Sequence, residues 1–129
     1  MKKLTKTDKM EIVNYQNSAM RTCMPTCENP LYMLGLLCEE SGELMGKFNK
    51  AIRKGKITFQ DNQMVYNGTF EEQEDFEAEC IKELGDVLWA VAGIAYVFKW
   101  DLRGVAQTNL DKLASRASRG VIDGQGDNR

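Results

Sequence analysis

Apolar residues recur along most of the chain at the three-and-four spacing of helices that face a core. Between Pro30 and Gly55 the residues Leu34, Leu37, Ser41, Leu44, Met45, Phe48 and Ile52 form a heptad-like stripe. The ends of this segment are as clear as its face. Asn29 is a good N-cap and Pro30 suits the first helical position. Lys50, Arg53 and Lys54 complement the C-terminal dipole, and Gly55 is a natural stop. A second stripe, Phe76, Cys80, Leu84, Leu88, Val91 and Ala95, predicts a helix from about Glu71 to Phe98. Upstream, a shorter helix is expected to start at Asp8, with Glu11 completing a capping box and Ile12, Val13, Gln16, Ala19 and Met20 on one face. Downstream, Asp101 can cap a fourth helix that carries Leu102, Val105, Ala106, Leu110, Leu113 and Ala117 and ends at Gly120.

Residues 56–69 break the helical period. Ile57, Phe59, Met64, Val65 and Tyr66 flank Asp61-Asn62, and Asn67-Gly68 follows, the pattern of a short β-hairpin or an ordered loop. The expected architecture is an all-α, four-helix bundle with this insertion between helices 2 and 3. It forms one domain over residues 1–129, with a helical core at 8–119 and a tail at 120–129. Gly35, Gly42 and Gly46 each cost helix 2 ~1 kcal/mol against alanine. They fall close to one face, which predicts close approach of a neighbouring backbone or a ligand.

Composition narrows the chemistry. A net charge of −2 and a pI near 5.2 give no broad positive field, so neither a nucleic acid nor an anionic membrane is expected as partner. No stretch approaches the ~18 apolar residues of a membrane span, and the basic start Met1-Lys2-Lys3 leads into charged residues and not into an apolar leader. A cytoplasmic setting is therefore expected, with Cys23, Cys27, Cys38 and Cys80 as reduced thiols. Cys38 and Cys80 read as small hydrophobes on helical faces. The chain contains no histidine, which removes histidine-based triads and most catalytic zinc sites. Acid–base or metal chemistry must rest mainly on carboxylates.

Those carboxylates are paired. On helix 2, Glu40 and Glu43 are three apart and Glu39 and Glu43 four apart. On helix 3, Glu83 and Asp86 repeat the arrangement, with Glu79 one turn earlier. If the two stripes pack together, four or more carboxylates converge at the edge of a core, where uncompensated charge is costly and a cation is called for. Hard oxygen ligands without His or Cys select Mg²⁺ or Mn²⁺. The plainer alternative is two solvated acidic faces, as at Glu71, Glu72, Glu74 and Asp75. On helix 4, Asn109, Lys112 and Arg116 form a polar stripe able to bind phosphate. Carboxylates facing such a stripe would make a receptacle for a magnesium-bound polyphosphate.

At these residues the sequence resembles a known family. Glu40-Ser-Gly-Glu43 followed by Glu83-Leu-Gly-Asp86 is similar to the ExxE…ExxD signature of the all-α NTP pyrophosphohydrolases, among them MazG, the dimeric dUTPases and the dCTP pyrophosphatases. The words Leu34-Gly-Leu-Leu-Cys-Glu-Glu-Ser-Gly-Glu-Leu44, Lys82-Glu-Leu-Gly-Asp-Val-Leu-Trp89 and Asn109-Leu-Asp-Lys-Leu113 also match, and Tyr15-Gln16 with Ala19-Met-Arg-Thr22 resembles the first helix of small phage-type MazG-like proteins. The resemblance implies Mg²⁺-dependent hydrolysis of an NTP or dNTP to its monophosphate and pyrophosphate, by a homodimer or homotetramer. It implies that Glu40, Glu43, Glu83 and Asp86 hold the metal, with Mn²⁺ able to substitute, and that Asn109, Lys112 and Arg116 touch the phosphates. Glu39 or Glu43 is the candidate to assist the attacking water, and Gln16, Arg21 and Trp89 are candidates for the nucleotide pocket. The segment between the two acidic motifs is longer than is usual in the family. Two other readings are a non-catalytic helical module that binds a nucleotide or a protein, and a zinc or redox protein built on Cys23-Met-Pro-Thr-Cys27.

Overall fold

The Asn29 side chain accepts hydrogen bonds from the backbone N–H groups of Leu31 and Tyr32, so the orphan donors at the start of a helix are met as the sequence predicts. In the computed structural model, which describes residues 10–125, this helix is α2, Pro30–Arg53. Gly55 follows in the left-handed region at φ 68° and closes it. Before it lie α1 (Ile12–Ala19) and two 3₁₀ turns, Met20–Thr22 and Pro25–Glu28. After it come β1 (Ile57–Gln60), β2 (Gln63–Tyr66), α3 (Phe70–Val97) and α4 (Leu102–Ser118). The expected all-α bundle with a hairpin insertion is the fold observed.

Two boundaries differ from expectation, and one open alternative is decided. The predicted start at Asp8 lies outside the described residues, and α1 begins at Ile12 with Glu11 as an extended N-cap, not inside the helix. Helix α3 begins at Phe70, because Thr69 caps it. The Thr69 hydroxyl accepts from Glu72 N–H, and the Glu72 carboxylate accepts in return from Thr69 N–H at 2.9 Å, a complete capping box. The stretch 56–69 resolves into the hairpin alternative: Ile57 pairs with Tyr66 and Gln60 with Gln63. Asp61 and Asn62 both adopt positive φ, 51° and 62°, the geometry of a two-residue type I′ turn.

Helices α2 and α3 run antiparallel and make the main packing unit. Met33, fully buried, lies against Gly93, where an added Cβ would overlap the Met33 methyl. Further along, Lys47 meets Glu79 and Phe48 meets Phe76 edge-on, ring centres 5.2 Å apart. The hairpin extends this end. Ile57 is buried, and Tyr66 reaches within 5.9 Å of Phe76. At the other end, α1 and the start of α4 close over Ala92, Ala95 and Leu102, with Tyr15, Met20 and Val91 packed around them.

The packed stripe of α2 is displaced from the predicted one. Met33, Leu37, Glu40, Leu44, Lys47, Phe48 and Ala51 are buried or half-buried, whereas Leu34, Met45 and Ile52 face outward. On α3, Leu84 and Leu88 are exposed, and the buried residues are the small run Ala90, Ala92, Gly93 and Ala95. On α4, Leu102 is buried but Val105, Leu110 and Leu113 stand largely free. Gly35, Gly42 and Gly46 meet nothing within 4 Å, so the close approach expected at them falls instead on Gly93.

The thiols also differ from expectation. Cys23 and Cys27 are joined as a disulfide, their Cα atoms 5.8 Å apart. The two 3₁₀ turns reverse the chain there and bring residues four apart side by side. Cys80 is half-buried as expected, but Cys38 is exposed and is no core residue.

Candidate metal centre and its surroundings

Four carboxylates reach one region because α2 and α3 pack antiparallel with their acidic motifs at the same level. Glu40 and Glu43 from α2 and Glu83 from α3 each offer an oxygen, and these oxygens lie within 4.8 Å of one another. Among the described residues no other group of three or more Asp, Glu or Cys side chains meets that spacing. Asp86 supplies the fourth charge. The Glu40 carboxyl is pushed up from its ordinary value, first by burial, then by Asp86, Glu43, Glu39 and Glu83 in turn. A half-buried acid surrounded by like charges disfavours its own ionisation, and a bound cation reverses that. The donor set, oxygen only with no nitrogen or thiolate, fits a hard divalent ion of the Mg²⁺ or Mn²⁺ type.

Two neighbours were not among the residues expected at the carboxylates themselves, although the sequence places Lys47 in a basic cluster with Lys50, Arg53, Lys54 and Lys56 that could steer a triphosphate or cap the helix end. Lys47, one turn after Glu43, places Nζ 3.0 Å from a Glu83 oxygen and 3.3 Å from a Glu79 oxygen. Its ammonium is held above the usual lysine range by those two hydrogen bonds, Glu83 first. Glu79 in turn takes Lys82 as a second partner at 2.6 Å. Tyr15, on α1, has its phenol pushed up by burial and then by the charge of Asp86, which places α1 beside the carboxylates. The Glu43-to-Lys47 spacing of four was the available signal for the first. The second belongs to the Tyr15-Gln16 pair through which the first helix resembles the family, a signal that gave it no role at the carboxylates.

The remaining predicted residues separate into groups. Glu39 is exposed, and its charge bears on Glu40, so it lies beside the cluster. Asn109 and Lys112 are exposed residues of α4, whereas Arg116 is only 7% exposed. Gln16 and Arg21 line a groove of about 570 Å³ with Val13, Met20, Tyr96 and Trp100. Yet both ends of the Gln16 amide are already engaged. Nε2 donates to Trp100 C=O at 3.1 Å, and Oε1 accepts from Leu102 N–H at 2.9 Å. Trp89 does not line that groove. Its indole N–H donates to Ala19 C=O and to the Thr22 hydroxyl, at 3.2 and 3.0 Å, and pins the turn after α1 to α3. Gln16, whose buried amide needs both partners, and Trp89, half-buried, therefore act in the first place as interhelical clamps.

A helical bundle that gathers carboxylates from two facing helices, with no histidine among them, defines a class of all-α protein with an acidic cluster between helices. The chain belongs to the MazG nucleotide pyrophosphohydrolase domain family, whose sequence profile matches residues 28–121. It is also similar to the Gene 37 protein of Mycobacterium phage L5, 42% identical over 94 residues that cover 72% of this chain and 70% of that protein. No solved structure matches. No helix among the described residues is long and apolar enough to cross a membrane.

Proposed function

We propose that the chain is a Mg²⁺-dependent nucleoside triphosphate pyrophosphohydrolase, converting an NTP or dNTP to its monophosphate and pyrophosphate. The observation that carries this reading is the convergence of Glu40, Glu43 and Glu83 within 4.8 Å in a chain of the MazG family. Water attacks the α-phosphorus, the bond from that phosphorus to the bridging oxygen breaks, and pyrophosphate leaves. Glu40, Glu43, Glu83 and Asp86 would hold the ions, with Mn²⁺ able to replace Mg²⁺. Bound there, a divalent cation supplies charge neutralisation at the phosphates and a lowered pKa for water. Glu39, exposed beside the cluster, or Glu43 accepts the proton that the water gives up. Asn109 and Lys112, exposed on α4, contact phosphate oxygens and stabilise charge where it grows. Arg116, the third residue of that stripe, is 7% exposed.

The active form is a homodimer or homotetramer. Leu84 and Leu88 on α3 and Leu110 and Leu113 on α4 are 44–59% exposed. With Ile81, Gly85, Val87 and Val91, the two α3 leucines form an apolar groove of about 460 Å³. Contiguous apolar surface of this kind marks an interface.

The test is pyrophosphate release from a panel of NTPs and dNTPs, with Mg²⁺ and with EDTA. Magnesium-dependent release from a subset supports the reaction and identifies the substrate. No release from any of them moves the function to the non-catalytic binding module that the helical fold also allows.

A further inference from the structure

Lys47 sits where a metal centre has least use for a positive charge. Its Nζ is 3.0 Å from Glu83, one of the three carboxylates that converge, and its side chain is one-third exposed. A lysine kept only to pair surface charge has Glu79 at hand, 3.3 Å away on the solvent side of the pair, where Glu83 is 14% exposed and Glu79 47%. The ammonium instead bridges both. It also lines a cleft of about 330 Å³ shared with Lys50, Lys54, Lys56, Tyr66 and Phe76. Among the described residues Lys50 and Lys54 have no ion-pair partner. The last carbonyls of α2 are met by the backbone N–H groups of Lys54, Gly55 and Lys56, so these lysines are not needed as caps.

We propose that Lys47 is the resident counter-cation of the carboxylate cluster, exchanged for the divalent ion when the site fills. This inference rests on the metal-site reading above. In the metal-free chain, Lys47 neutralises Glu83 and lets the carboxylates stay together without an ion. A divalent ion ligated by Glu83 competes for the same oxygens and repels the ammonium across a few ångströms. Released from Glu83, Lys47 remains tethered to Glu79 and faces the lysine-lined cleft, where an incoming polyphosphate carries the opposite charge. The exchange offsets part of the ion's charge at Glu83, because the ammonium leaves that carboxylate as the ion arrives. It also makes metal affinity weaker than the four carboxylates alone would give.

The sign of one measurement decides. Mn²⁺ binding is followed by the loss of the free-ion EPR signal, on the full chain at low ionic strength, for the wild type, Lys47→Met, Lys47→Gln, Lys47→Arg and Glu83→Gln. Counter-cation exchange predicts that Lys47→Met and Lys47→Gln bind Mn²⁺ about three- to tenfold tighter, while Lys47→Arg stays near wild type. Their metal-free melting temperatures fall, and their stabilisation by saturating Mn²⁺ is larger than that of the wild type. Affinity unchanged or weaker in both neutral variants overturns the inference, because a lysine that merely positions Glu83 would weaken binding when lost. Mn²⁺ binding by the wild type that Glu83→Gln leaves untouched, or no binding at all, overturns the metal-site reading and the inference with it.

Discussion

Replacing Gln16 with leucine removes a two-ended clamp between α1 and the junction of α3 with α4. The wild-type amide gives one hydrogen bond to Trp100 C=O at 3.1 Å and takes one from Leu102 N–H at 2.9 Å. Leucine keeps most of the volume and supplies neither. Losing the bond to Trp100 costs about 1 kcal/mol, since that carbonyl belongs to an exposed residue and water can replace the partner. The Leu102 N–H is different, because Leu102 is 3% exposed and its N–H is one of the orphan donors at the start of α4. Left unsatisfied in the core, it costs roughly 1–3 kcal/mol. The sum, about 2–4 kcal/mol, is offset slightly by the more apolar side chain. For a chain of this size it lowers the melting temperature by on the order of 10 °C. Urea and thermal unfolding measure the loss. The KM for the nucleotide, taken well below the new melting temperature, checks the role. The clamp account predicts a clear loss of stability with KM nearly unchanged. Stability within 0.5 kcal/mol of wild type (about the size of an ordinary surface substitution), together with a raised KM, refutes it and returns Gln16 to the nucleotide pocket.

Two further outcomes follow from the same physical account. The Glu72 carboxyl is held below its ordinary value, first by the hydrogen bond from Thr69 N–H and then by Lys56, 3.0 Å away. Its contribution is therefore present above the unfolded pKa and is lost as pH falls through the lowered folded value. Glu72→Gln should be less stable than wild type at pH 7 by thermal unfolding, with the gap closing as the pH is taken below 4; a gap independent of pH contradicts this. The bare leucines of α3 and α4 predict a dimer or tetramer by light scattering at micromolar concentration, shifted toward monomer by Leu84→Glu with Leu88→Glu, and a monomeric wild type contradicts the interface.

Features held by neighbours in sequence are legible from the amino-acid order alone. The Asn29 and Asp101 caps, the stops at Gly55 and Gly120, and the Asp61-Asn62 turn all act within four residues of themselves. The Thr69-Phe-Glu-Glu72 capping box is equally local, yet it lies outside the apolar stripe from which the start of α3 is predicted, so the boundary falls one residue off. On α2 the apolar stripe is a poor guide to the packed face. Apolar positions alone leave out Glu40 and Lys47, which lie on that face because they meet α3. The three glycines of α2 stand out by number, whereas Gly93 sits among three buried alanines, the better sign of close helix contact.

The centre itself is half legible. The three-residue spacing of Glu40 and Glu43 sets two carboxylates on one face, but only the antiparallel register of α2 and α3 adds Glu83. Partners reached across the fold leave no local mark in the sequence. Gln16 and Trp89 bond to atoms 84–86 and 67–70 residues away, so their polar ends look available in the sequence when they are not.

A divalent ion held by the carboxylate cluster is proposed to support the hydrolysis. The most direct test is pyrophosphate release by Glu83→Gln at saturating Mg²⁺, with helicity checked by circular dichroism. This exchange removes one charge and keeps the side-chain shape. The account predicts a loss of at least a hundredfold in turnover with helicity intact, while wild-type release depends on Mg²⁺ and stops in EDTA. Turnover in Glu83→Gln close to wild type, or wild-type release that persists in EDTA, would contradict it.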